Sequence, residues 1–232
     1  MANTRTDTLL QGETLMKYVL FDLDGTITDP KSGITKSVAY ALKQFGIDVT
    51  DLDSLCSFIG PPLKDSFRDF YNFSEEDSDK AVDEYRVYYR DKGVFDCIVY
   101  EGIKELLEYL HESGMKVILA TSKPDCFASS ILEHFGIMKY FDIIAGSELK
   151  GPRVEKEDVI EYAISQIPDF KAEEAVMIGD RKFDYIGASK FGIPCILVGY
   201  GYGEMEELKN CNPFAIKNTV EELTEFFKSK II

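Results

Sequence analysis

Short apolar runs recur along the chain: KYVLF from Lys17 to Phe21, KVILA from Lys116 to Ala120, FDIIA from Phe141 to Ala145, AVMIG from Ala175 to Gly179, and CILVG from Cys195 to Gly199. None alternates apolar with polar residues as a half-exposed strand would, so each reads as a strand buried on both faces. Between them, apolar residues return every three or four positions. EGIKELLEYLHESG places Ile103, Leu106, Leu107 and Leu110 on one side, and DCFASSILEHFG, EKEDVIEYAISQI and FDYIGASKFG follow the same rule. These are amphipathic helices. Strand alternating with helix predicts an α/β fold with a parallel sheet covered on both sides.

Residues 30–96 break that rhythm. They carry helical patterns, such as Ile34, Val38, Leu42 and Phe45 on one face and the acidic stretch SEEDSDKAVDEYRVYYRD, but no buried strand. A helical insertion is the simplest account. It enters after the first strand's loop and leaves before the helix leading to the second strand. That places it over the C-terminal ends of the strands, where open α/β sheets bind ligands, and makes it a candidate lid. The tail from Gly203 holds a short acidic helix, a possible edge strand PFAI and a final amphipathic helix TVEELTEFFKSK, expected to pack and not to react.

The 232 residues suffice for one α/β core carrying an insertion, not for two independent folds. Forty-one acidic against 26 basic side chains leave a formal charge of −15, which argues against nucleic acid as a partner. A small anionic substrate would need positive charge supplied locally by lysine, helix N-termini or a metal. The five cysteines are odd in number and lack a C-x-x-C pair, which points to reduced thiols and a cytoplasmic location. Residues 1–15 read as a polar N-terminal extension or tag, and no apolar run reaches membrane-spanning length.

Carboxylates cluster where apolar runs end. Asp22 and Asp24 close the first run, with Gly25 and Thr26 turning the chain immediately afterwards; Asp180 and Asp184 follow the fourth run in GDRKFD. Turn chemistry accounts for the first pair as a polar strand terminus, and a helix N-cap and first-turn charge account for the second. The functional account is convergence of both pairs on one hard cation such as Mg²⁺, which prefers oxygen ligands. Between them, KVILA runs into Thr121, Ser122, Lys123 and Pro124, the last placed to open a helix. A hydroxyl, backbone N–H groups and a helix N-terminus suit an anionic oxygen, although Ser and Thr before Pro commonly just cap helices.

DLDGT at Asp22–Thr26, ILATSKP at Ile118–Pro124, a downstream lysine and MIGDRKFD at Met177–Asp184 together resemble the ordered motifs of the haloacid dehalogenase-like hydrolase superfamily. The insertion resembles that superfamily's cap subclass I, and FIGPPLKDSF with GDRKFDYIGA is most similar to its phosphoglycolate phosphatase and nucleotidase-like branch. The resemblance implies a Rossmann-like three-layer core formed by residues 16–29 and 97–232, with residues 30–96 as a helical cap inserted after the first strand.

It further implies that Asp22 attacks phosphorus and becomes an aspartyl phosphate, while Asp24 protonates the leaving alcohol and then activates water. Asp22 must attack as a carboxylate, whereas Asp24 needs a raised pKa to have a proton to give. Thr121 would hold a phosphoryl oxygen. Asp180 would join Asp22 and the Asp24 backbone carbonyl around Mg²⁺, with Asp184 as a further direct or water-mediated ligand. Gly25, Thr26, Ser122 and Lys123 fall beside these as substrate contacts.

The phosphate-binding lysine has two candidates in GSELKGPRVEKEDVI, Lys150 and Lys156, because a G-K-P spelling is absent. Lys156 is preferred, since KEDVI opens a helix. In the insertion, Gly60, Pro61 and Pro62 make a rigid turn, and Lys64 and Arg68 follow at helical spacing. They could reach an anionic part of the substrate or equally form a solvent-facing basic pair.

Other signals carry less. Gly199, Gly201 and Gly203 in GYGYG have the wrong spacing for a dinucleotide loop. With only His111 and His134, a histidine-rich zinc site or a Ser-His-Asp triad is disfavoured. Tyr85, Tyr88, Tyr89 and Phe95 are expected to pack the cap against the domain beneath.

The expected activity is a Mg²⁺-dependent phosphatase for a small phosphorylated metabolite, phosphoglycolate first and a nucleoside monophosphate second, in a monomer or homodimer. A phosphomutase and a non-catalytic regulatory protein are the alternatives. Carbon–halogen displacement is disfavoured, because it requires neither Asp24 as an acid nor the GDxxxD cluster.

Overall fold

The computed structural model describes residues 16–230; the N-terminal extension expected over 1–15 lies outside them. Six parallel strands form the central sheet: β1 (Tyr18–Phe21), β4 (Lys116–Pro124), β5 (Ile143–Ser147), β6 (Ala175–Gly179), β7 (Cys195–Val198) and β8 (Ala215–Lys217). Their spatial order is β5-β4-β1-β6-β7-β8. The two-sided apolar pattern has its reason here. Val19 and Phe21 of β1 pack on one layer with Leu106 and Leu110 and with Leu223 and Phe227, while Leu20 faces the other with Val159, Ile160 and Ala163.

These partners belong to the covering helices. One layer draws on α4 (Ile103–Glu112), α5 (Asp125–His134) and α9 (Val220–Lys230); the other draws on α6 (Lys156–Ser165), α7 (Lys182–Lys190) and α8 (Met205–Asn210). The sheet is therefore the middle of three layers. From β1 the chain builds outward to β4 and β5 on one side, then crosses to β6, β7 and β8 on the other. The crevice opens at that reversal, beyond the C-terminal ends of β1, β4 and β6.

Residues 30–96 fold as α1 (Lys31–Gln44), a 3₁₀ turn (Leu52–Phe58), α2 (Leu63–Tyr71), α3 (Glu75–Tyr88) and a π turn (Tyr89–Gly93). Helix α3 starts sharply because the Ser74 hydroxyl accepts from the Asp77 N–H at 3.1 Å and Glu75, Glu76 and Asp77 meet the positive end of the dipole. A two-residue antiparallel pair, β2 (Thr28–Asp29) with β3 (Ile98–Val99), ties the two ends of this insertion at a neck. Among the expected cap aromatics, Tyr85 and Tyr89 are buried, whereas Phe95 is 47% exposed and stacks on His134 of α5 with centroids 4.5 Å apart.

Two local expectations need correction. Strand β4 does not end at Ala120 but continues through Thr121, Ser122 and Lys123, and Pro124 stands at the N-cap before α5, not in its first turn. The register shift between Ala120 and Pro124 accompanies this extension past the edge of the regular sheet. The residue capping α7 is Arg181, so capping does not explain Asp180. Among the described residues, no helix is long and apolar enough to cross a membrane.

Candidate active site

The Asp22 N–H donates to the Ile178 carbonyl at 2.9 Å, carrying the β1 register onto the crevice floor. The chain then turns: the Gly25 N–H donates to the Thr28 carbonyl at 2.7 Å, and the Ile27 N–H donates to the Leu23 carbonyl at 2.9 Å. Gly25 has φ +81, and a Cβ there would stand 2.1 Å from Asp180 Oδ2. Glycine is thus required both by the left-handed backbone and by the approach of a second acid from β6.

Asp22, Asp180 and Asp184 bring one carboxylate oxygen each to within 4.8 Å of one another. All three are buried, and Asp180 Oδ1 has no hydrogen-bond partner. Burial, reinforced by the charges of Asp184 and Asp22, pushes the Asp180 carboxyl well above the ordinary carboxylate range. Burial raises Asp184 as well, against the opposing pull of Lys156. An all-oxygen donor set with a partnerless buried oxygen fits a hard divalent cation. Asp24 enters this group by its position beside Asp22, but its side chain is engaged elsewhere.

Lys156, at the first position of α6, reaches Asp22 Oδ1 at 2.6 Å, Asp184 Oδ1 at 2.8 Å and the Ala120 carbonyl at 3.0 Å. Burial alone would lower its pKa, but the charges of Asp184 and Asp22 outweigh burial and raise it. One buried ammonium thus offsets part of the repulsion among three buried acids. Lys150, the other candidate, is exposed in the loop after β5.

Lys123 is aimed at Asp24: its Nζ lies 2.5 Å from Asp24 Oδ2. Burial raises the Asp24 carboxyl above its ordinary range while Lys123 pulls the other way. Thr121 is buried on the cavity wall, and its Oγ1 accepts from the Lys123 N–H at 3.2 Å. Ser122 lines the same wall, with its carbonyl accepting from the Ser147 hydroxyl at 2.7 Å.

Of the expected substrate contacts, Thr26, Arg68 and Gly25 do not line the cavity, and Lys64 lines it but is tied to acids. Thr26 is fully buried beneath the turn, away from the cavity lining. Arg68 lies outside that lining and pairs with Asp65 at 2.8 Å and Asp69 at 2.9 Å, because its helix faces its own acidic neighbours. Lys64 does reach the wall, but its Nζ is held by Asp79 at 2.8 Å and Glu75 at 3.0 Å from α3. Gly25 acts on Asp180 and does not line the cavity.

The cavity of about 280 Å³ above the acids is walled mainly by apolar and aromatic side chains: Phe58, Leu63, Val82, Tyr85, Tyr89 and Phe127. Tyr85 and Tyr89 stack with centroids 5.3 Å apart, and Tyr89 meets Phe127 edge to face at 5.3 Å. Arg181 joins the two parts of the molecule. Its guanidinium donates to the Ile59 carbonyl of the cap at 2.6 Å and to Glu207 of α8 at 3.0 Å. The sequence points to Tyr85 and Tyr89 as packing residues only, and it does not single out Phe58, Phe127 or Arg181. Arg181 stood inside GDRKFD, and its signal was a cation beside two acids with no role assigned.

A family model described as haloacid dehalogenase-like hydrolase matches residues 19–198. A Pseudomonas aeruginosa protein named 5'-nucleotidase is 47% identical over 195 residues, covering 84% of this chain and 88% of that protein. A Mycobacterium tuberculosis protein named tyrosine-protein kinase PtkA is 36% identical, covering 90% of this chain and 72% of that one. The crystal structure of a predicted phosphatase from Clostridium acetobutylicum superposes with a TM-score of 0.89 at 51% identity, covering 93% of this chain and 99% of that one. With its motifs, its three-layer sheet and its matches aligned in this way, the chain belongs to the haloacid dehalogenase-like hydrolase family and is a phosphatase of that family.

Proposed function

We propose that the chain is a Mg²⁺-dependent phosphomonoesterase that works through an aspartyl phosphate on Asp22 and prefers a nucleoside monophosphate. The observation that carries the chemistry is the Lys156 ammonium, 2.6 Å from Asp22 and 2.8 Å from Asp184, beside three acids whose oxygens converge within 4.8 Å. A cation held by Asp22, Asp180 and Asp184, with the Asp24 backbone, would supply charge against the phosphoryl oxygens.

An Asp22 oxygen attacks phosphorus, and the ester P–O bond breaks as the new O–P bond forms. Asp24 gives its proton to the departing alkoxide. Water then attacks the acyl phosphate and loses a proton to Asp24, so that Asp22 is regenerated and inorganic phosphate is released. Lys156 and Thr121 line the cavity with Asp22, and in this reading they oppose the charge that builds on the phosphoryl oxygens.

Substrate preference rests on the cavity. A wall of Phe58, Tyr85, Tyr89 and Phe127 suits a leaving group with a flat apolar part, as a nucleoside has. Phosphoglycolate, the first expectation from sequence, offers a carboxylate instead. Each cation on that wall (Lys64, Arg86, Lys123, Lys156 and Arg181) already faces an acid. An anionic leaving group would have to break one of those pairs. The name 5'-nucleotidase on the 47% identical relative agrees with this preference.

The test is a panel of phosphate esters compared by kcat/KM with and without Mg²⁺. The reading requires nucleoside monophosphates to exceed phosphoglycolate, activity to vanish in EDTA, and Asp22→Asn to be inactive on every ester. Phosphoglycolate at the head of the panel would overturn the substrate, and metal-independent turnover would overturn the mechanism.

A further inference from the structure

The stretch GYGYG, Gly199–Gly203, takes no part in the chemistry above, yet it wraps Asp180. The Tyr202 N–H donates to Asp180 Oδ2 at 2.7 Å. A Cβ on Gly201 would stand 2.4 Å from Asp180 Cβ and 2.4 Å from the Gly25 carbonyl oxygen. One on Gly203 would stand 2.0 Å from the Asp180 carbonyl oxygen. Glycine is what lets the loop lie this close. With Oδ2 occupied by the loop, Oδ1 is the Asp180 oxygen left buried and without a partner.

The loop also reaches in the opposite direction. The Tyr202 hydroxyl donates to Asp29 Oδ1, and the Tyr200 hydroxyl donates to the Thr26 carbonyl at 2.9 Å. Asp29 belongs to β2, where it pairs with Ile98 of β3, and its Oδ1 also accepts from the Lys31 N–H that opens α1, at 3.0 Å. Tyr202 therefore touches a cation-facing acid through its backbone and the neck of the cap through its side chain. A loop with three glycines in five residues has little stiffness of its own. The Tyr202 hydroxyl ties this loop to Asp29 while its amide meets Asp180.

We propose that Tyr202 is a positioning residue that couples cation binding at Asp180 to the order of the cap's neck. This rests on the reading of Asp22, Asp180 and Asp184 as a Mg²⁺ site. The coupling is reciprocal. A pinned neck holds Asp180 ready for the ion, and the ion, by fixing Asp180 against the loop, tightens the neck. Groups that orient a ligand from outside the coordination sphere commonly change metal affinity by about 10–100-fold.

The experiment is a double-mutant cycle on the full chain, read by calorimetric Mg²⁺ titration. Tyr202→Phe keeps the ring and the backbone donor and removes only the hydroxyl. Asp29→Ala removes the acceptor; it also loses the Lys31 contact, but that loss occurs in both legs of the cycle and cancels. Each single variant is expected to weaken Mg²⁺ binding about 10-fold, and the double variant no further than the weaker single.

A second readout is amide exchange at Thr28 and Lys31, which Mg²⁺ should slow in the wild type and not in Tyr202→Phe. That measurement stands alone if Asp29→Ala does not fold. Unchanged Mg²⁺ affinity in Tyr202→Phe, or losses that multiply in the double variant, would overturn the coupling while leaving the metal site intact. A wild-type protein that takes up no Mg²⁺ would overturn the metal site and the coupling together.

Discussion

The Lys123 ammonium, at the end of β4, lies 2.5 Å from Asp24 Oδ2 and 5.0 Å over the ring of Tyr89, so one core cation joins the acid two residues after Asp22 to an aromatic ring of the cap. A group that must protonate a leaving oxygen has to be aimed as well as protonated. Lys123→Met should therefore lower kcat by about 10-fold or more, within the range assigned to general acid–base catalysis, while KM moves little. Lys123→Arg should recover part of the loss. Steady-state kinetics decide: a raised KM at unchanged kcat would make Lys123 a binding group instead.

Removal and return of the metal should be visible in stability. Without a cation, Asp180 keeps a buried oxygen with no partner and its carboxyl is forced toward the neutral form. Adding Mg²⁺ to EDTA-treated protein should raise the thermal midpoint along a saturating curve. At about 100 times the dissociation constant the gain is about 2.7 kcal/mol. Differential scanning calorimetry of wild type and Asp180→Asn checks this, and an equal Mg²⁺ response in both would remove Asp180 from the site.

Gly25→Ala tests the turn that lets two strand ends meet. At φ +81, with a Cβ placed 2.1 Å from Asp180 Oδ2, the methyl group both strains the backbone and displaces the acid. The backbone contribution alone is about 1–2 kcal/mol. The variant should lose stability in urea and, in addition, lose Mg²⁺-dependent activity. A stable variant with full turnover would mean the turn relaxes without cost.

The acids were legible because their signal is local. A buried strand announces itself by a two-sided apolar run, and a carboxylate immediately after it has only the crevice to occupy, which is how Asp22 and Asp180 could be paired across the chain. What could not be read depends on contacts between distant segments. Arg68 has helical spacing fit for a substrate contact, but its neighbours Asp65 and Asp69 take its charge. Tyr202 looked like part of a misspelt nucleotide loop, and its partner Asp29 lies 173 residues earlier. The two-residue strands β2 and β3 are too short to leave any periodicity.

Acid should loosen the hold of Glu207 on Arg181, the core residue whose guanidinium also reaches the Ile59 carbonyl of the cap. Burial alone would raise its pKa, but hydrogen bonds from Arg181 and from the Lys182 N–H outweigh burial and hold the carboxyl below its usual range. A depressed folded pKa contributes stability above the unfolded value of about 4.3, and that contribution is lost as pH falls through the lower folded value. Glu207→Gln should thus be less stable than wild type by roughly 1–2 kcal/mol at pH 7, at or below the low end of the roughly 1.5–3 kcal/mol for hydrogen bonds to charged groups because solvent reaches the pair. The gap should close at low pH. Urea midpoints of both proteins across pH measure it, and a gap that persists in acid would contradict the assignment.

The aromatic wall makes the strongest demand on specificity, because it is assembled from both parts of the chain: Phe127 from α5 of the core, Tyr85 and Tyr89 from the cap. The Tyr89 and Phe127 rings meet edge to face at 5.3 Å, so a flat leaving group entering between cap and core would extend an arrangement already present. Phe127→Leu keeps an apolar side chain of moderate size and removes the flat face. An aromatic contact is worth about 0.5–1.5 kcal/mol beyond its area, which corresponds to a loss of roughly 2–10-fold in kcat/KM for a nucleoside monophosphate. Glycerol 2-phosphate, whose leaving group has no flat part, should lose much less, since Asp22, Lys156 and Thr121 are untouched. Matching thermal midpoints would confirm that the variant is folded. An equal loss on both esters would mean that Phe127 supports the site as packing and reads nothing of the substrate.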